Sequence, residues 1–392
     1  MSKLGKLIQQ YCPDGVEWKP LAECCNILDG KRKPITKGAR QSGPYPYYGA
    51  NGIQDWVADY IFDGTYVLIG EDGSVITSNG TPIVNWAHGK IWVNNHAHII
   101  AETTGVLLRF LFYYIQIIDI HNLVHGNIPK LTQGDLKEME IPVPPLPVQE
   151  EIVRVLDAFT ELQAELQAEL QKRKQQYNFY RDNLLTNFTT EQNVKEYTLG
   201  ELGTFTRGNG LQKKDFTREG IGCIHYGQIY TRFGAFADKT LTYVNRELAS
   251  HLLQVEKGNL VIACTSENVE DICKSVAWLG EENICTGGHA CVFRHNQNPK
   301  YISYFFQTEY FFNQKKKYTY GTKVKDIKPD SIAKIKIPLP SLKEQERIVS
   351  ILDNLYTLTN DLTSGLPAEM EKRRQQYEFY RDKLLTFKRK EA

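Results

Sequence analysis

Lysine and arginine set among glycines and hydroxyl side chains suit phosphate contacts, because positive charge and close backbone approach are needed together. The sequence offers that combination in three places. Gly30-Lys31-Arg32-Lys33-Pro34-Ile35-Thr36-Lys37-Gly38-Ala39-Arg40-Gln41 is followed closely by Tyr45, Tyr47, Tyr48 and Asn51. Arg207-Gly208-Asn209-Gly210-Leu211-Gln212-Lys213-Lys214 and Lys315-Lys316-Lys317-Tyr318-Thr319-Tyr320-Gly321-Thr322-Lys323 stand in the second half of the chain. Asn51 with Gln54, and Gln228 with Tyr230, Thr231 and Arg232, add amide and guanidinium groups of the kind that read base edges. The expected nucleic-acid contacts are therefore Lys31, Arg32, Lys33, Lys37, Arg40, Tyr48 and Asn51 in the first half. In the second half they are Arg207, Asn209, Lys213, Lys214, Gln228, Tyr230, Arg232, Lys316, Lys317, Tyr320 and Lys323. One such run is usually a solvated loop; recurrence at comparable places in two halves is what favours nucleic acid.

Catalytic constellations are missing. No Gly-x-x-x-x-Gly-Lys-Ser/Thr loop occurs, which argues against ATP hydrolysis by the usual phosphate-binding loop. Asn298-Pro299-Lys300-Tyr301 only partly matches the Asn-Pro-Pro-Tyr/Phe motif of amino methyltransferases: the second proline is absent, and no glycine-rich S-adenosylmethionine loop precedes it. Phe205-Thr206-Arg207-Gly208-Asn209-Gly210 is a weak Phe-x-x-Gly-x-Gly match, and Asp326-Ile327-Lys328 lacks a matched upstream acid for a nuclease centre. The expectation is a chain that does not catalyse alone and binds no cofactor or metal of its own. The eight cysteines contain no Cys-x-x-Cys pair and read as small core residues in a reducing compartment. His96 and His289, at matching positions in apolar surroundings, read as core histidines satisfied by hydrogen bonds.

Composition narrows the class further. Forty-seven Lys and Arg against 46 Asp and Glu leave a net charge of +1 over 392 residues, with 41% apolar residues. A disordered polyelectrolyte is excluded, and so is attachment to nucleic acid by bulk charge alone. The longest apolar runs, such as Leu107 to Ile118, are too short to span a bilayer, and the first residues lack the apolar core of a signal peptide. A cytoplasmic location is expected.

The elements that must position these residues come in two copies. Ile141-Pro142-Val143-Pro144-Pro145-Leu146 returns as Ile337-Pro338-Leu339-Pro340-Ser341-Leu342, and Gln149-Glu150-Glu151-Ile152 returns as Gln345-Glu346-Arg347-Ile348, both at an offset of 196. Lys172 to Thr186 returns as Lys372 to Thr386 with twelve of fifteen positions identical, now at an offset of 200. Apolar spacing of three and four predicts long helices. Ile152, Val155, Phe159, Leu162, Leu166, Leu170, Tyr177, Tyr180 and Leu184 form one seam; Ile348, Ile351, Leu355, Leu358, Leu362, Met370, Tyr377, Tyr380 and Leu384 form the other. Ser364-Gly365-Leu366-Pro367 should kink or break the second helix. Matching seams predict an antiparallel coiled coil with an internal pseudo-two-fold repeat. Phe179, Phe379, Leu185 and Leu385 fall off the seam and call for a second covering surface.

The segments between the helices are rich in Gly, Tyr and β-branched residues, and runs such as Thr65–Ile69 and Asn259–Ala263 predict buried strands. The two segments echo each other at Leu21-x-Glu23 and Leu199-x-Glu201, and at His96-Ala97 and His289-Ala290. The predicted class is α+β, with mixed α/β recognition domains at 1–145 and 191–340 and repeated helices at 146–190 and 341–392.

Two diverged domains alternating with near-identical helices, each introduced by Ile-Pro-x-Pro and Gln-Glu, resemble the specificity subunit of type I restriction–modification systems over essentially the whole chain. Thr160-Glu161-Leu162-Gln163-Ala164-Glu165-Leu166-Gln167-Ala168-Glu169-Leu170 further resembles the central tetrapeptide repeats of one branch of that family. The resemblance implies a non-catalytic subunit in which each target recognition domain reads one half of a split DNA site. It implies two methyltransferase subunits, which bind S-adenosylmethionine, and restriction/translocase subunits, which use ATP and Mg. Gln149, Glu150, Phe179, Gln345, Glu346 and Phe379 are the candidates for the assembly surface. A coiled-coil scaffold without a DNA role, and a subunit serving methylation only, are the alternatives.

Overall fold

The two Ile-Pro-x-Pro segments are strands before they are helix starts. In the computed structural model, which describes residues 2–188, 194–360 and 364–391, Glu140–Val143 pairs antiparallel with Glu17–Pro20, Glu17 facing Val143. Lys336–Leu339 pairs in the same way with Lys195–Thr198, Lys195 facing Leu339. Proline lacks an amide donor and suits such short two-stranded pairs, where one edge is free. Ile141 and Ile337 are fully buried beneath them. Each pair joins the two ends of one mixed α/β domain.

The chain divides into two units, 1–165 with 371–392, and 166–370. This division cuts through both helical segments, so each unit is one domain together with pieces of both helices. In the first unit a six-stranded sheet runs in the order Asn26–Ile27, Ala97–Ala101, Phe62–Gly70, Val84–Val93, Ser42–Gly49, Gly52–Val57. The second unit has a five-stranded sheet, Gly203–Arg207, Ala290–His295, Leu260–Ala263, Ser275–Trp278, Phe236–Ala237, and a four-stranded sheet centred on Ile221–Ile224 and Ile284–Thr286. The expected apolar strands are present: Val67, Leu68 and Ile69 are buried, as are all four residues of Leu260–Ala263. The sequence echo is an echo of register. Ala97 faces Gly70 in one sheet, and Ala290 faces Ala263 in the other.

One helix of 41 residues, Leu146–Thr186, follows the first Pro-containing strand. After the second, a helix Leu342–Asn360 ends and another, Leu366–Leu384, begins with Pro367 in its first turn, where a missing amide hydrogen is harmless. The break falls where Gly365 and Pro367 predict it; Leu362, expected on the seam, lies outside the described residues. Seam and burial do not coincide fully. Ile351, Leu358, Tyr180 and Tyr380 are 36 to 42% exposed. At the helix starts, Val148, Ile152 and Leu156 in the first unit and Ile348, Val349 and Leu352 in the second are buried within the core of the adjoining domain. The reason is that each helix start must bury a stripe against its own sheet-bearing domain as well as a stripe against another helix. In the first unit Phe159 stacks on Tyr380 with ring centres 5.7 Å apart. In the second, Tyr177 meets Tyr356 at 6.0 Å. Leu185 and Leu385, off the seam and expected to need a second covering surface, find it in the cores of their own units.

Candidate nucleic-acid interface

In the first domain the basic run follows the short helix Leu21–Cys24 and forms two single-turn 3-10 segments, Asp29–Lys31 and Lys37–Ala39. Lys31, Lys33, Lys37 and Asn51 are exposed there, Asn51 at the tip of the hairpin joining Ser42–Gly49 to Gly52–Val57. Arg32 turns inward instead. Its Nη1 donates to Glu71 Oε2 at 2.5 Å and to the Ala97 carbonyl at 2.7 Å, while Nε donates to the Asp29 carbonyl at 2.9 Å. Asp29 in turn contacts His98 Nδ1 at 2.6 Å and accepts from the Ile99 amide and Gln133. Burial pushes the Asp29 pKa up, but His98, the Ile99 amide and Arg32 together outweigh it and hold the carboxyl below its ordinary value. Asp29, Glu71 and His98 bring their ligand atoms within 4.8 Å of one another. With the guanidinium of Arg32 already bonded among them, the group works as a hydrogen-bonded ion network rather than as a vacant cation site.

Arg40 is likewise engaged, lying 4.1 Å over the Tyr47 ring and bonded to Ile35 O and Asp55. Tyr48 is buried among Phe62, Leu68 and Ile91. In the free chain, then, Arg32 and Arg40 are engaged in ion pairs and Tyr48 is buried, unlike the exposed lysines of the same run. Trp56 and Ile53 are exposed at 51 and 47% on the neighbouring strand, and alternation alone does not say which face of an edge strand is covered.

In the second domain Asn209, Lys213, Lys214, Arg232, Lys316, Lys317, Tyr320 and Lys323 are exposed. Lys213 and Lys214 sit on a single 3-10 turn, Lys213–Asp215. Lys316 and Lys317 close the helix Glu309–Tyr318, where positive charge opposes the negative end of the helix dipole. Their neighbour Lys315 is buried, with Nζ donating to the carbonyls of Glu270 and Ile272. Arg207 forms a two-pronged pair with Asp326 at 3.1 and 2.7 Å, and Tyr320 donates to the same carboxylate at 2.9 Å. Burial raises the Asp326 pKa, yet Arg207 and Tyr320 hold it below the usual range. Gln228 accepts from the His225 amide at 3.0 Å and donates to Thr242 Oγ1 at 3.2 Å, and Tyr230 donates to the Thr265 carbonyl at 2.5 Å.

A groove of about 500 Å³ opens beside this cluster, lined by Tyr226, Tyr230, Ser266, Glu267, Asn268, His289 and Val324 among others. His289 was expected in the core and is exposed; His96 is 48% exposed and paired with Asp72. The buried histidine of the first domain is His98, two residues further along the strand. Both exposed side chains stand in the turn one residue before a strand that opens on a buried alanine.

The expected assembly residues also separate. Gln149 and Gln345 are fully buried. Gln149 accepts from the Leu107 amide and donates to Gly105 O and Pro144 O. Gln345 accepts from the Asn298 amide and donates to Gln297 and Pro340 O. Both carboxamides are consumed in fastening helix to domain and have nothing left for a partner. Glu150 and Glu346 are exposed, and Phe179 and Phe379 are exposed at 64 and 61%, each in edge contact with the following tyrosine.

Known proteins give this geometry a context. Residues 13–173 and 191–372 both match the family described as type I restriction modification DNA specificity domain. A Haemophilus influenzae protein carrying a provisional name as a type I restriction enzyme specificity subunit is 36% identical over 95% of this chain and 96% of its own. The specificity subunit of the type I restriction enzyme EcoR124I/EcoR124II from Escherichia coli is 31% identical over all of this chain and 98% of its own. The crystal structure of a type I restriction–modification S subunit from M. genitalium shares the fold, with a TM-score of 0.55 at 16% identity over 95% of this chain and 96% of that one. Two matched stretches, at the two domains that the repeats bracket, mean that this chain belongs to the type I restriction–modification DNA specificity family.

Proposed function

We propose that this chain is the DNA sequence-recognition subunit of a type I restriction–modification complex, each domain reading one half of a bipartite site. The observation that carries the reading is that two domains of different surface chemistry are fastened to repeated helices by the same residues. Gln149 and Gln345 cap equivalent turns, and Asp157 and Asp353 hold equivalent helices. Identical anchors beneath dissimilar surfaces suit a division in which the surfaces read different DNA and the anchors serve both.

In this reading the repeated helices run antiparallel as a coiled coil related by a pseudo-two-fold axis, supported by the Phe159–Tyr380 and Tyr177–Tyr356 contacts. They set the spacer between half-sites, and the Thr160–Leu170 repeat supports membership of the branch with central tetrapeptide repeats. The exposed Lys31, Lys33, Lys37, Asn51, Asn209, Lys213, Lys214, Arg232, Lys316, Lys317, Tyr320 and Lys323 contact DNA, mainly at phosphates. Arg207 joins them by trading Asp326 for a base or a phosphate. Two methyltransferase subunits, carrying S-adenosylmethionine, dock on Phe179 and Phe379 with Glu150 and Glu346 at the edge. Restriction/translocase subunits, using ATP and Mg, complete the assembly in the cytoplasm, and the chain itself does no chemistry. The test is to sequence methylated DNA from a host carrying the chain with residues 191–336 replaced by another recognition domain. One half of the methylated site should change; a change in both halves would overturn the reading.

A further inference from the structure

His96 and His289 are equivalent by register, not merely by sequence echo. The carbonyl of His96 accepts from the amide of Glu71, the residue following the strand Phe62–Gly70; the carbonyl of His289 accepts from the amide of Cys264, the residue following Leu260–Ala263. The next residues, Ala97 and Ala290, are buried and begin equivalent strands. Each histidine stands beside an arginine whose guanidinium reaches the same stretch of backbone: Arg32 donates to Ala97 O at 2.7 Å, and Arg207 to Gly288 O at 3.5 Å. Each also has a carboxylate at hand. His96 Nδ1 contacts Asp72, and Asp326 is bound by Arg207, whose guanidinium also reaches Gly288 O beside His289. The acids come from different places in the chain, one directly after the central strand and one from the short strand Lys325–Asp326.

Core packing does not account for the pair of histidines, because both side chains are exposed. In the first domain the imidazole is oriented by Asp72 through Nδ1, so that Nε2 is a donor to phosphate when the ring carries both protons. In the second it lies against the Tyr226 ring, centroids 4.8 Å apart, at the rim of the groove. The surrounding loops carry quite different side chains. An exposed group retained at one register position by two domains that read different sequences has to recognise what those sequences share, and that is the sugar–phosphate backbone.

We propose that His96 and His289 are equivalent DNA-backbone contacts that set each recognition domain in register on the duplex without reading a base. The inference rests on the reading of this chain as a DNA-recognition subunit. The experiment measures binding of the full chain, assembled with its methyltransferase partner, to two duplexes of equal length, one bearing the site methylated in the host and one lacking it. His96→Gln and His289→Gln should each weaken both duplexes by the same factor, about fivefold, the worth of one hydrogen bond. The double variant should lose about 25-fold if the two sites act independently. The methylated sequence in a host carrying either variant should stay the same.

Unchanged affinity would overturn the proposal. So would a loss confined to the cognate duplex or an altered half-site, either of which marks a base contact. Loss of methyltransferase from the variant complex would assign the histidines to the protein partner instead. Failure of the unaltered complex to prefer its own site would sink the recognition reading itself, a result separate from all of these.

Discussion

The phenol of Tyr304 donates to Asp353 Oδ1 at 2.6 Å, and Lys300, one helical turn earlier, reaches the other oxygen at 2.7 Å. In the first unit Tyr113 donates to Asp157 at 2.5 Å, and Arg109, again one turn earlier, reaches the same oxygen at 2.7 Å. A base and a tyrosine four residues apart share a helix face, so a single carboxylate can close on both. Burial and then the adjacent carboxylate push both phenol pKa values far up, keeping the hydroxyls as donors. Tyr304→Phe should cost about 1–2 kcal/mol and Asp353→Ala about 1–3 kcal/mol, since the alanine leaves two polar partners stranded. Urea unfolding of the full chain measures both, and Asp157→Ala should behave alike; no loss in any of them would deny the clasp a structural role.

The exposed phenylalanines should matter to assembly and not to folding. Phe179→Ala and Phe379→Ala remove side chains already in solvent, so the midpoint of thermal unfolding should stay put. Association with the methyltransferase should weaken by about 2 kcal/mol for each, the scale of an aromatic anchor at an interface centre. Sedimentation of mixed subunits distinguishes the cases, and undiminished association would remove these residues from the docking surface.

Acid should weaken the second unit through His295. Its ring is tilted against Phe293 at 4.7 Å, and burial lowers its pKa from 6.5 to about 4. The unfolded chain therefore takes up a proton near pH 6.5 that the folded chain refuses until about pH 4. Stability from this group is full above the upper value and falls as pH drops between the two. Between pH 7 and pH 5 the loss comes to about 2 kcal/mol at about 1.4 kcal/mol per pH unit. His295→Phe should lack that part of the slope in denaturant titrations at the two pH values. An identical slope would put its origin elsewhere.

Deleting Gln167-Ala168-Glu169-Leu170 removes four helical residues, about 6 Å of rise and about 400° of rotation, which nearly restores helix phase. Methylated DNA from a host carrying the deletion should show a shorter gap between two unaltered half-sites. An unaltered gap would dispose of the idea that helix length sets the spacer.

The repeats, helices and buried strands were legible because they depend on patterns within a few residues. Availability of a side chain was not. Arg32 finds Glu71 at a separation of 39 residues and Arg207 finds Asp326 at 119, so neither arginine could be recognised as engaged from its own loop. Gln149 and Glu150 adjoin in sequence, yet one is fully buried and the other exposed, because the domain covers a second face of the helix that seam spacing does not reveal. The histidines were misplaced for a related reason. Apolar neighbours mark the strand, but both histidines stand in the turn just before it, where the burial of the strand has not yet begun.

The pairing of Glu17–Pro20 with Glu140–Val143, and of Lys195–Thr198 with Lys336–Leu339, has a consequence for inheritance. Chain enters and leaves each domain through neighbouring strands, so a crossover between genes at the two borders exchanges a whole reading surface while leaving its socket intact. The near-identical stretches Lys172–Thr186 and Lys372–Thr386 follow the two domains and offer matching sequence for such an exchange. New specificities can then arise by cut and paste, with no helix needing to be invented again.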